Sequence, residues 1–259
     1  MKPARIIPFV IIPLLIACIP KQPEISLPAV PPRPLIEALE QRRLAFTGLK
    51  AVASVDAVRS GSRRSYETVG IVIDGQRRLR VEVYGPLGQS LMTLVWDGGE
   101  VLLQLEDGRV VRPGQAGLKR FFGVAMDAGE LCAVLTGNLP ASGSTAAATA
   151  FRDNDGSALV VLREGEAERR ISVMLPETGP AADIRIAAEE LYRSGRLAYR
   201  VRYGAMERVS QYLIAKAVEI ESGENKTSLT IVYNDAEVNT PLPADAFILS
   251  GGETGAPLP

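Results

Sequence analysis

The sequence predicts a mainly β protein with a few covering helices, an α+β arrangement in which antiparallel strands dominate. Three observations predict it. Apolar residues alternate with polar ones, as in Leu79, Val81 and Val83 against Arg78, Arg80 and Glu82, which is the period of a strand with one buried face. Asp74-Gly75, Asp97-Gly98 and Asp107-Gly108 each separate two strand-like runs. Such pairs signal hairpins, because both central residues of the favoured tight turn need positive φ. Between two blocks of strand pattern lies a helical stretch whose apolar face carries Leu131, Val134 and Leu135.

The chain opens with Lys2 and Arg5, then the apolar run Ile6 to Ala17, then Cys18. That is the charged, apolar, small-residue order of a secretory signal, so residues 1–17 are expected to be a signal peptide. The run is too short to span a bilayer, which takes roughly 20 apolar residues. Leu15-Ile16-Ala17-Cys18 resembles the lipobox of bacterial lipoproteins, which implies cleavage before Cys18 and acylation of its thiol and new amino group. Several acyl chains give a stable anchor where one alone is marginal. Residues 18–34 then carry six prolines, from Pro20 to Pro34, and read as an extended tether. At about 3.1 Å per residue it would lift the following domain roughly 50 Å from the lipid.

Pro34 suits the first turn of a short helix, with Leu35, Ile36 and Leu39 on one face and Glu40 placed to meet Arg43. From Phe46 to about residue 112 the strand period and the three Asp-Gly pairs imply an antiparallel meander. Leu91 to Trp96 and Val101 to Leu105 are apolar on both faces. Those strands are either covered on both sides or line an apolar interior on one side and meet a helix on the other. Ala116 to Val124 reads as helical, and Asp127 with Glu130 makes a capping box for a second helix ending at Gly137. Ala141 to Thr149 reads as a small-residue loop. Strand patterns resume at 158–163, 170–175, 184–192, 197–203, 215–220 and 227–233, and the tail from residue 251 reads as flexible.

Composition narrows the chemistry. Histidine is absent, which excludes Ser-His-Asp and Cys-His nucleophiles and His-ligated metal, so no enzyme activity, metal or cofactor is expected. A net charge of -1 lacks the basic footprint of a nucleic-acid partner. With Cys18 acylated, Cys132 has no disulfide partner and reads as a buried structural thiol. The acidic groups Asp153-Asn154-Asp155 and Glu164 to Glu168 fall at expected turns, and the first lacks the downstream ligand spacing of a calcium loop.

Three ordered patterns resemble the LolA and LolB lipoprotein-localisation superfamily across most of residues 35–250. The segment Leu79 to Leu91 is similar to the LolB strand-loop-strand ending in Pro-Leu-Gly. A helix leading into Leu135-Thr136-Gly137-Asn138-Leu139-Pro140 resembles the family's lid helix and Gly-x-Pro. The run Leu229 to Asp235, followed by Thr240 to Phe247, resembles its last strands. The resemblance implies an unclosed antiparallel β-barrel under a helical lid, with a cavity for the acyl chains of cargo lipoproteins. It further implies a periplasmic LolA-like carrier as partner and a monomer. A lipid-anchored member matches the LolB side, and Ile19 after Cys18 matches outer-membrane sorting, the domain facing the periplasm. Relative to a minimal LolB there is extra sequence near 141–170 and 188–212.

By the same resemblance Leu87, flanked by Pro86 and Gly88, is the membrane-inserting residue of an exposed loop. Without the resemblance, the residues themselves favour a plain turn in which Leu87 folds back on the core. Candidates for the cavity wall are Leu91, Leu94, Trp96, Leu103, Leu105, Leu131 and Leu135, each of which would serve as well in an ordinary core. The function implied is a receptor that takes lipoproteins from the carrier and inserts them in the outer membrane. The alternative is the same fold acting as a sensor or accessory subunit of an envelope assembly.

Overall fold

A computed structural model describes residues 25, 27–113, 118–119, 122–140, 147–153, 156–176 and 183–249. Cys18, the signal peptide, most of the tether and the tail from residue 251 lie outside the described residues, as do Asn154 and Asp155. In chain order the elements are β1 (Ala29–Val30), α1 (Arg33–Ala45), β2 (Gly48–Arg59), β3 (Ser62–Asp74), β4 (Arg78–Tyr84), β5 (Ser90–Trp96), β6 (Val101–Leu105) and β7 (Val110–Val111). Then come α2 (Ala128–Thr136), β8 (Ala147–Arg152), β9 (Ser157–Glu164), β10 (Ala167–Met174), β11 (Arg185–Arg193), β12 (Arg196–Tyr203), β13 (Met206–Val209), β14 (Tyr212–Ala215), β15 (Ala217–Ser222) and β16 (Thr227–Val238).

Fourteen strands form one antiparallel sheet in the order β1-β8-β9-β10-β11-β12-β15-β16-β2-β3-β4-β5-β6-β7. Its ends, β1 and β7, do not pair with each other, so the barrel is unclosed, as expected. The core falls into two clusters. α1 lays Leu35 and Leu39 against Leu162, Ile171, Val173 and Ile186 from β9 to β11. α2 packs Leu131, Val134 and Leu135 into the larger cluster formed by the meander together with β12, β15 and β16.

α2 forms as its caps dictate. Asp127 accepts from the Glu130 amide at 2.7 Å, Glu130 accepts from the Asp127 amide at 3.1 Å, and Gly137 closes the helix at φ 64°. Its two ends are tied to the rest of the molecule. Glu130 also accepts from Arg169 at 3.2 Å and Arg193 at 3.0 Å. At the other end the buried guanidinium of Arg42 donates to the carbonyls of Gly137 and Leu213, at 3.2 and 2.7 Å. A cation there neutralises the orphan carbonyls and negative pole of a helix terminus.

Several expectations need correction. The Asp-Gly hairpins exist and their glycines have positive φ, but their aspartates do not, and the loops hold three or four residues. Asp97 and Asp107 instead accept from the amides two residues on, at 3.2 and 3.1 Å, which fixes a longer turn. Turns with positive φ at both residues occur at Ser60-Gly61 and Ser194-Gly195. Ala29 and Val30, expected in the tether, pair with β8, and β8 itself occupies the C-terminal part of the expected 141–149 loop. Here sheet pairing overrides weak local preference. The strand expected at 215–220 is divided at Lys216. Tyr212 to Ala215 hairpins with β13 in a separate two-stranded sheet, and Ala217 onward joins the main one.

Candidate functional site

The interior of the meander is not filled to one end. A cavity of about 590 Å³ opens where β2, β4 and β6 finish and β3, β5 and β16 begin. That volume lies within the roughly 300–1,000 Å³ of ligand sites. Val81 and Val83 of β4 supply one wall, Leu91 and Met92 of β5 with Leu105 of β6 the next, and Phe122 closes over them. Opposite stand Val55 and Ala57 of β2, Tyr66 and Val69 of β3, and Leu229 of β16. Arg59, Ser62, Arg64, Glu106 and Thr227 lie among this lining as well, so the polar groups gather at the strand ends.

Why these side chains face inward follows from register. Ala53 pairs with Val69 but Val55 pairs with Tyr66, so β3 carries one extra residue at Glu67-Thr68. Side chains alternate strictly along a strand, and one extra residue exchanges the faces. Val69, Ile71 and Ile73 point inward beyond the bulge, and Tyr66, Arg64 and Ser62 point inward before it. Arg63 and Ser65 are thereby turned outward, where Arg63 pairs with Asp56 at 2.7 Å and Ser65 also bonds it.

The residues expected at a cavity wall divide. Leu91 and Leu105 line the cavity. Leu94 and Leu103 are fully buried beside Leu131 and Leu135 in the packed core, and half-buried Trp96 rests against it. α2 and the cavity share the inner side of β5 and β6. The cavity residues on β2, β3 and β16 went unread, as did Val81 and Val83. The alternation of β4 identifies Val81 and Val83 as one face, which was the available signal. Tyr66 and Arg64 had none, because a bulge becomes visible only against its partner strand.

The loop 85–89 joins β4 to β5 at this same end. Gly85 donates to the Gln89 carbonyl at 2.8 Å and Gly88 to the Gly85 carbonyl at 2.9 Å. The Gln89 side chain accepts from the Leu87 amide at 3.1 Å. Gly88, at φ 78°, takes the left-handed position. Leu87 is 92% exposed, so it does not fold back on the core.

With an unclosed sheet, two helices and an interior cavity in place, comparison with solved structures is decisive for architecture. A LolA-superfamily protein from Nitrosomonas europaea superposes over 85% of this chain and 99% of its own, with a TM-score of 0.60 at 12% identity. The fold is LolA-like. An outer-membrane lipoprotein-sorting protein domain from Vibrio parahaemolyticus matches the LolA-like fold over 83% of this chain and 94% of its own (TM-score 0.61, 13% identity). So does a DUF1329 family protein from Desulfovibrio piger, over 84% and 97% (TM-score 0.60, 10% identity). No family model matches the sequence, and no curated protein does. The β13–β14 hairpin begins in the 188–212 region and ends just beyond it, and it packs Tyr212 and Ile214 into the LolA-like core.

Two groups of buried polar side chains stand apart from the cavity lining. Buried Glu189 is pushed up by burial, with Arg169 and the Tyr199 hydroxyl opposing. Arg169 pairs with both Glu189 and Glu130. Cys132 is fully buried, and burial raises its thiol far above the ordinary range, which leaves it a packing group.

Proposed function

We propose that this protein is an outer-membrane-anchored lipoprotein receptor of the LolB kind. It accepts lipoproteins from a periplasmic LolA-like carrier, shelters their acyl chains in the cavity and places them in the outer membrane. The observation that carries this reading is the position of an apolar cavity and a fully presented leucine at one end of the same sheet. An acyl chain needs a dry wall without fixed polar demands, and the walls from β2, β4, β5 and β6 meet that need. Leu87, held outward by the braced loop, would gain roughly 1.5–3 kcal/mol on entering lipid, enough to bias a transient contact. The work is transfer down an affinity difference, so no residue is assigned to catalysis and no cofactor is required. Cys18 would supply the anchor and the proline-rich segment the reach. The names of the Nitrosomonas and Vibrio neighbours support a task in the envelope.

One observation favours the alternative of a sensor or accessory subunit. The half of the sheet under α1 forms its own cluster of buried side chains, and the β13–β14 hairpin adds Tyr212 and Ile214 to the larger core. Depletion in the native host, followed by membrane fractionation, separates the two. Cargo lipoproteins should accumulate with the carrier or in the inner membrane. Normal sorting in a host with no second receptor would end the receptor reading.

A further inference from the structure

We propose that the cavity mouth selects acyl-chain amphiphiles with an anionic headgroup, a carboxylate or a phosphate, and that Arg64 is the residue that meets the anion. This rests on the reading of the cavity as an acyl-chain site.

The rows of paired residues grade from apolar to cationic. Deepest is Ile231 beside Val55 beside Tyr66, then Leu229 beside Ala57 beside Arg64, and outermost Thr227 beside Arg59 beside Ser62. A chain lying along this ramp keeps its methylenes on Val55, Ala57 and Leu229 and brings its head to Arg64. The bulge in β3 puts Arg64 here in place of Arg63, so this cation, one row inside Arg59, is fixed by backbone geometry.

Two observations say that the mouth is built for a polar head. Arg64 forms no ion pair or hydrogen bond among the described residues, and the carboxylate of Asp56 on the paired strand is already engaged. Asp56 holds Arg63 on the outer face, and Glu224 holds Lys119. Thr227 lines the cavity, and its hydroxyl is buried and lacks a hydrogen-bond partner among the described residues. A buried hydroxyl left unpaired is unfavourable by about 1–3 kcal/mol, and a headgroup oxygen would satisfy it once the Thr227 side chain turns toward the cavity. Glu106 is the one carboxylate of the lining and faces the mouth from the end of β6. It limits how strongly the mouth attracts an anion.

The proposal distinguishes classes of cargo. The acylated end of a lipoprotein carries amide, ester and thioether groups and no charge, so its carbonyls can accept from Thr227 but give Arg64 no counter-ion. A fatty acid or an acidic phospholipid answers both.

The test compares cis-parinaric acid with its methyl ester, two fluorescent probes with the same chain and different head charge. It uses the full chain at low salt and about pH 8.5, where a carboxyl group is ionised. The acid should bind about threefold to tenfold more tightly than the ester, in keeping with a partly solvated charge-assisted contact. Arg64→Gln should bring that ratio to near one, Glu106→Gln should widen it, and added salt should narrow it. Ala57→Phe, which fills the wall beside Arg64, should weaken both probes. Arg64 is exposed, so the melting point of Arg64→Gln checks that the fold is intact. Equal binding of acid and ester, or a preference that survives Arg64→Gln, overturns the headgroup assignment and leaves the acyl cavity standing. Failure of both probes to bind overturns the acyl-cavity reading and the headgroup assignment with it.

Discussion

Arg42, near the end of α1, donates to the carbonyl of Gly137, 3.2 Å away at the end of α2, so one buried cation joins the two helices. The same guanidinium reaches the carbonyls of Thr136 and Leu213 and lies 4.4 Å from the centre of the Tyr212 ring. Replacing it with Met keeps much of the volume but strands three buried carbonyls. The expected loss is about 2–4 kcal/mol, since each buried group left unsatisfied is unfavourable by about 1–3 kcal/mol and relaxation recovers part. Arg42→Lys should restore little, because an ammonium cannot reproduce the planar fork. Urea unfolding gives the magnitude, and hydrogen exchange should show α2 opening first.

A second prediction concerns Arg169, which pairs with Glu189 and Glu130 beside the Tyr199 hydroxyl. Arg169→Met leaves two buried carboxylates without their shared cation, a change expected to remove about 3–5 kcal/mol at neutral pH. Glu189 already lies above the ordinary glutamate range because it is buried, and removing Arg169 raises it further. Between the unfolded value near 4.3 and that raised value the folded state holds a proton the unfolded state has lost, so stability falls as pH rises through the window. The variant should therefore be nearest to wild type in mild acid and furthest from it above neutrality. A parallel stability deficit at all pH values would mean that Glu189 does not titrate in this range.

The two halves of the fold differ in how far the sequence discloses them. α2 was legible in full, because Asp127, Glu130 and Gly137 are local signals that depend on no partner. β4 was legible as well, its alternation surviving into the buried row Leu79, Val81 and Val83. Arg42 was not, since an arginine near a helix terminus reads as a solvated charge until a second helix arrives 95 residues later in the chain to use it. The cavity was half legible. Leu91 and Leu105 reached its wall, but Leu94 and Leu103, on the same two strands, went to the packed core. Strand pattern identifies an inner face, and only the path of α2 decides which stretch of that face is left uncovered.

That difference between wall and core is measurable. Leu94→Ala removes a fully buried side chain from close packing and should lower stability by about 3 kcal/mol, within the roughly 2–5 kcal/mol found for such truncations. Leu105→Ala enlarges a space that already exists, and Leu105 is only half-buried. Its loss should be near 1 kcal/mol by transfer of fewer buried methylenes. Urea midpoints of the two variants decide the matter, and equal losses would mean that the space around Leu105 is closed in solution.

Leu87 gives the last test, since its side chain touches little and its loop is fixed by other residues. Leu87→Glu should therefore leave stability within about 0.5 kcal/mol of wild type, as expected for a surface position without structural contacts. Under the receptor reading, cargo should still load from the carrier, because the cavity wall is untouched, yet should fail to pass to liposomes, because a carboxylate resists entry into lipid. Gln89→Ala separates presentation from chemistry. It removes the acceptor for the Leu87 amide while keeping the leucine, so transfer should slow without being abolished. Transfer by Leu87→Glu at the wild-type rate would remove the loop from the mechanism, whatever the cavity holds.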